Sequence, residues 1–299
     1  MKRTDQLHEL IKSLSQTEKR YFKMFSNMRG KGGTNYLNLF EAIERMKVYD
    51  EGRLKEKFKG STLSKHLPSE KNYLYHLILK SLRAYHSDAT KNNELSNLLQ
   101  SIEILFDKGM FTHCLKLLAK ARKLAYRYEK HTLLLDILKW EQKITRARFD
   151  LDNLEENVDE TLAEEHRILS DLQAIAQYKI SFYKLTTFID NRGIARSESE
   201  LQRLDNIMSG DFIRSIENAT SYEGRIYYYL SWADYHYARG NLKEDYKISQ
   251  ELVNFIESKP ELLQQDKRPH INGLSYLAIA CTRIGMFDEA RKALNDLKK

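Results

Sequence analysis

Three glycines, Gly109, Gly240 and Gly285, stand in the same local pattern, and that pattern restricts the fold more than anything else in the chain. Two residues after them come Phe111, Leu242 and Phe287; five after come Cys114, Asp245 and Ala290; twelve after come Ala121, Leu252 and Leu297. Seven residues before them stand Ile102, Ala233 and Ala278, and eleven before stand Leu98, Tyr229 and Leu274. A glycine permits a tight turn between two helices. Small residues on both helices let the backbones approach, and larger ones fill the remaining gap. The pattern therefore predicts a helical hairpin, used three times. The middle copy departs from the others. Asp245 and Ser249 fall where a small and a large apolar residue are expected, and His236 falls on an inner face, so its second helix is expected to shift in register. In the last copy Leu274 and Leu294 are expected on the apolar face.

The rest of the chain also reads as helix. Only 3 prolines and 12 glycines interrupt 299 residues, and no stretch alternates apolar and polar as a half-buried strand does. Leu7, Leu10, Ile11 and Leu14 recur at helical spacing. Ser15 with Glu18 forms a capping box for a second helix bearing Tyr21, Phe22 and Phe25. Arg-Gly-Lys-Gly-Gly at 29–33 reads as a flexible connector before a third helix over 36–47, which buries Leu37, Phe40 and Ile43. Short pieces over 54–58 and 62–67 end at Pro68. Ser69 then caps a long helix to Tyr85, whose apolar face is Leu74, Leu77, Ile78, Leu82 and Tyr85. Ser170 with Gln173 predicts a break that divides residues 157–190 into two helices.

Charge divides the chain as well. Residues 1–90 carry 18 Lys/Arg against 10 Asp/Glu, and the remainder 31 against 32, so the formal net charge of +7 belongs to the N-terminal third. The polar stretch 87–93 is the expected boundary, giving domains 1–90 and 91–299. No run is apolar for the ~18 residues a membrane span needs, and the N-terminus has no apolar core of a signal peptide. Two cysteines, Cys114 and Cys281, cannot build a disulfide scaffold, and a reducing, cytoplasmic setting fits them.

The hairpin pattern resembles the tetratricopeptide repeat, a helix-turn-helix unit of about 34 residues. Residues 272–299 match it best and 95–128 match well. The intervals between the glycines, 131 and 45 residues, are not multiples of that length, so the intervening helices are expected to be longer or irregular. The resemblance implies an all-α chain, a small N-terminal helical domain followed by a tetratricopeptide-like superhelix. It also implies a concave groove for a protein or peptide, on a scaffold or adaptor. The positions it turns toward the groove include Ser96, Glu103 and Phe106, then Tyr227, Asp234 and Tyr237, then Asn272, Ile279 and Thr282, with Arg283 reaching the same side. For the tyrosines of 221–240 a role in a thick helical core stands beside the groove role. Because residue 299 falls inside the second helix of the last unit, the expectation is a fragment or an end covered by a partner, with self-association through that unit.

Chemical motifs are sparse. His8-Glu9 lacks a second histidine four residues on, the nine histidines are scattered, and no phosphate loop or nucleophile elbow occurs. The chain reads as non-catalytic, with no metal and no cofactor. One alternative rests on the basic domain. Asn72, His76, Lys80 and Arg83 lie opposite the apolar stripe of their helix, after Lys55, Lys57, Lys59 and Lys65. That arrangement is either a solvated lysine face or the reading helix of a helix-turn-helix or winged-helix domain that touches nucleic acid. In the second case the chain is a regulator with a repeat-built sensor.

Overall fold

The computed structural model describes residues 3–27, 31–87, 90–148 and 151–297, with side chains left aside at 3–5, 31–35, 62, 64 and 151–158. The described chain is all-α, with no strand. It divides into two compact units, Met1–Glu94 and Leu95–Lys299.

The first unit contains α1 (Arg3–Ser13), α2 (Gln16–Asn27), α3 (Lys31–Glu44), α4 (Glu51–Lys57), α5 (Thr62–Lys65) and α6 (Leu67–Tyr85). Leu7, Ile11, Phe22, Phe40, Ile43, Leu54, Leu74 and Ile78 form its core. Each such side chain, fully buried, stabilises the fold by about 1.5–3 kcal/mol. The capping box forms as its residues dictate. The Glu18 backbone N–H donates to Ser15 Oγ at 3.2 Å, and the Ser15 N–H donates to Glu18 Oε2 at 2.8 Å.

Three expectations change here. Helix α3 begins at Lys31, so Lys31, Gly32 and Gly33 are helical, while Arg29 and Gly30 lie outside the described residues. Glycine weakens a helix by about 1 kcal/mol against alanine but does not forbid it, and α3 is anchored by its buried Leu39, Phe40, Ala42 and Ile43. Pro68 opens α6 instead of ending the preceding piece, and Ser69 lies inside the helix. Proline lacks only an N–H that the first turn does not use. Tyr85 is exposed, its ring packed on Tyr21 at 5.1 Å between centroids, and not part of the core.

The second unit begins at Leu95, after the first turn of α7 (Lys91–Asp107), and continues through α8 (Phe111–Arg127), α9 (His131–Ala147) and α10 (Leu151–Arg192). Then come α11 (Glu198–Ile207), α12 (Asp211–Arg214), a single 3-10 turn (Ile216–Asn218) and α13 (Tyr222–Ala238). The last four are α14 (Leu242–Glu257), α15 (Pro260–Gln265), α16 (Arg268–Arg283) and α17 (Phe287–Asp296). The long helices pack in series: α8 on α9, α9 on α10, α10 on α13, α13 on α14, α14 on α16 and α16 on α17.

The three glycines close three turns of one kind. Gly109, Gly240 and Gly285 have φ of 70°, 78° and 81°. The N–H after each glycine reaches back to a carbonyl five residues earlier: Met110 to Leu105 at 2.9 Å, Asn241 to His236 at 2.8 Å, and Met286 to Cys281 at 2.9 Å. These bonds satisfy carbonyls that the helix end leaves open. A fourth turn, between α8 and α9, has the same bond, Lys130 N–H to the Ala125 carbonyl at 2.8 Å, but its left-handed residue is Glu129 at φ 48°. Lacking glycine, this turn carries no mark in the sequence.

The middle hairpin keeps its register. Asp245 is as buried as Cys114 and Ala290, and Ser249 and Leu252 are buried with it. In the last hairpin Leu274 is buried, but Leu294 is 50% exposed and Ala293 takes the inner position. Helix α10 is continuous through Ser170 and Gln173. Its buried stripe, Ile168, Ala174, Ile175, Tyr178, Leu185 and Phe188, runs past that point, so packing holds the turns together where a local cap would have ended them.

Candidate binding site

Helix α13 is the axis of the second unit. Ile226, Tyr229 and Leu230 pack with Leu252 and Ile256 of α14, while Tyr228, Trp232 and Tyr235 pack with Tyr178, Leu185 and Phe188 of α10. Trp232 spends its one donor on the Ile213 carbonyl at 3.0 Å. With both flanks used, the remaining side of α13 meets α16.

The two helices meet in three ascending steps. Tyr227 and Asn272 line the same cleft. Asp234 and Tyr276 face each other, and Tyr276 lowers the Asp234 carboxyl. Tyr237 lies under Arg283, whose guanidinium carbon is 3.4 Å from the ring centroid. Positions rise together along both helices, so α13 and α16 run parallel, as repeated first helices of successive hairpins do.

The middle step is buried. Asp234 is 6% exposed. It accepts from Thr186 Oγ1 of α10 at 3.0 Å. Desolvation pushes its carboxyl from 3.8 to about 7, against the opposing pull of Thr186 and Tyr276. Asp245 of α14, 2% exposed, accepts from Arg283 Nη1 at 2.9 Å and Ser249 Oγ at 3.4 Å. Burial raises its carboxyl too, with Arg283 opposing. The Arg283 guanidinium is thus bonded to one buried carboxylate, Asp245, and its charge also lowers the other, Asp234.

The cleft at the first step has a volume of about 470 Å³. Ile226, Leu230 and Leu262 give it an apolar wall; Glu129, His131 and Asn272 give it polar ones. Glu129 belongs to the α8–α9 turn. Its carboxylate accepts the Tyr222 N–H at 2.6 Å, in the first turn of α13. Burial raises its carboxyl above the usual range. Left-handed backbone at a residue other than glycine costs about 1–3 kcal/mol, and the bond to α13 holds it there.

Glu103 and Phe106 are elsewhere. Phe106 packs on Phe111 and Trp140, centroids 5.4 and 5.5 Å away, and the Lys143 ammonium lies 4.4 Å from both the Phe106 and Trp140 rings. Glu103 is exposed on the edge of a shallow cleft of about 310 Å³ beside Trp140. Trp140 and Lys143 were missed because α9 carries no turn motif, although a lone tryptophan three residues from a lysine was a usable signal.

In the first unit Asn72, His76, Lys80 and Arg83 are all exposed on one face of α6. Asn72 and His76 border a cleft of about 330 Å³ with Gln6 and Tyr75. Their neighbour Lys71 is buried instead, 2.6 Å from Glu51 Oε2 and 2.8 Å from the Tyr49 hydroxyl. Lys71 and Lys55 hold the Glu51 carboxyl down at about 2.

No four-ligand or other metal-ligating cluster occurs among the described residues, and none of their helices is long and apolar enough to cross a membrane. No family model matches the chain, and neither the curated proteins nor the solved structures include a match to it.

Proposed function

We propose that this chain is a non-catalytic scaffold or adaptor built on tetratricopeptide-like hairpins, and that it binds an extended peptide along the α13–α16 face. The observation that carries this reading is the cleft shared by Tyr227 and Asn272, continued along α16 by exposed Ile279 and, on its flank, Ile271. Exposed isoleucines beside an apolar-walled cleft suit a surface that a partner covers. The wall formed by Ile226 and Leu230 takes an apolar side chain, and the Asn272 amide pairs with peptide backbone. Asp234 is too enclosed to meet the peptide and acts as internal support. The repeat reading is supported by the recurrence of one turn at Gly109, Gly240 and Gly285. The buried, unpaired Cys114 and Cys281 favour a cytoplasmic setting.

The test is a photo-crosslinking residue placed at Asn272 or Ile279 in the full chain. Capture of the same protein from both positions, lost when Tyr227 is changed to Ala, supports the reading. Asn272→Ala and Ile279→Ala should each weaken binding of that protein by ~1–3 kcal/mol without lowering the melting temperature. Unchanged affinity in both variants rejects it.

A further inference from the structure

We propose that the exposed face of α6 binds duplex DNA. In the first unit five acidic groups are paired internally. Glu41 and Glu44 hold Lys19 and Lys23, Glu51 holds Lys55 and Lys71, and Asp50 caps α4 and pairs with Arg53. Glu18 caps α2 and meets His86. The cationic surplus of residues 1–90 is therefore not neutralised within the unit. Part of it stands on α6, where Lys80 and Arg83 have no acidic partner among the described residues.

The form of this face separates a duplex from other polyanions. Asn72, His76, Lys80 and Arg83 are exposed and one turn apart, spread over about 16 Å of helix. A single phosphate needs donors that converge, whereas these follow a line. A membrane-surface helix needs large apolar residues to insert, yet Leu67, Leu74, Leu77 and Ile78 of α6 all point into the core. An α-helix fits the major groove of B-form DNA, whereas the deep, narrow major groove of A-form RNA excludes it. Lys80 and Arg83 meet phosphates. Asn72, with an amide donor and acceptor side by side, reaches a base edge. The core contacts of α6 with Phe22, Phe40 and Ile43 hold this face rigid before binding. The inference does not depend on the peptide-binding reading.

The test uses the full chain and a fluorescent DNA duplex of about 20 base pairs, with affinity followed by anisotropy across salt concentrations. Saturable binding at about 50 mM salt, with log affinity falling linearly in log salt, is the expected result. Lys80→Ala with Arg83→Ala should reduce affinity at least about tenfold and flatten the salt slope by about 2. Lys247→Ala, on the exposed side of α14, should change neither. All variants should melt as the parent does. Absence of binding at low salt, equal loss in the Lys247 control, or an RNA duplex bound as well as the DNA duplex would each overturn the proposal.

Discussion

Arg283 of α16 lies over the Tyr237 ring, its guanidinium carbon 3.4 Å from the centroid, while its Nη1 reaches Oδ2 of the buried Asp245 at 2.9 Å. One guanidinium thereby joins α13, α14 and α16. Its partners differ in how they tolerate its loss. Arg283→Ala leaves Asp245 charged and enclosed, and should destabilise the chain by about 3 kcal/mol. Asp245→Ala places in this hairpin the residue that Ala290 supplies in the next, and the freed arginine can turn to water. It should cost clearly less. Chemical denaturation of the two variants checks the order; equal losses would mean that Asp245 finds water.

Asp234 should make stability depend on pH. The groups facing it are Thr186 of α10, Tyr276 and Arg283 of α16, and Asp245 of α14. Its carboxyl is raised from 3.8 to about 7, so the folded chain holds this proton more tightly than the unfolded chain. The resulting stability is complete below about pH 4 and is lost as pH rises through about 7, by roughly 4 kcal/mol in all. Asp234→Asn has no proton to lose. Its melting temperature relative to wild type should rise between about pH 5 and pH 8. Parallel pH profiles would show that Asp234 is solvated.

Glu129 tests the strained turn. Alanine normally stabilises a chain relative to glycine, but not at φ 48°. Both substitutions lose the bond to the Tyr222 N–H. Glu129→Gly should therefore be more stable than Glu129→Ala by about 1 kcal/mol. The reverse order in thermal melts would place this turn outside the left-handed region.

Ser170 decides whether α10 is one helix or two. As an N-cap, its replacement by alanine would cost about 1 kcal/mol. In the exposed middle of a continuous helix the same change should be neutral or stabilise by about 0.5 kcal/mol. A measured loss near 1 kcal/mol would restore the break.

What the sequence determined by itself was local. Gly109, Gly240 and Gly285 mark their turns because left-handed backbone favours glycine wherever it occurs, and Ser15 with Glu18 marks a helix start because both capping bonds close within four residues. Helical periodicity identified the faces of α1, α2 and α6 for the same reason. Tertiary packing decided the rest. It carried α10 across a sound capping signal, since a continuous buried stripe outweighs one side-chain bond. It turned Leu294 outward and Ala293 inward, because the close approach of α16 and α17 leaves room for the smaller residue. It made Asp245 acceptable in a small-residue slot by bringing Arg283 from 38 residues away. The groove residues divided by the same rule. Tyr227 and Asn272 came together because their hairpins stack. Glu129 was not legible, because its role depends on a contact between helices that no spacing along one helix encodes.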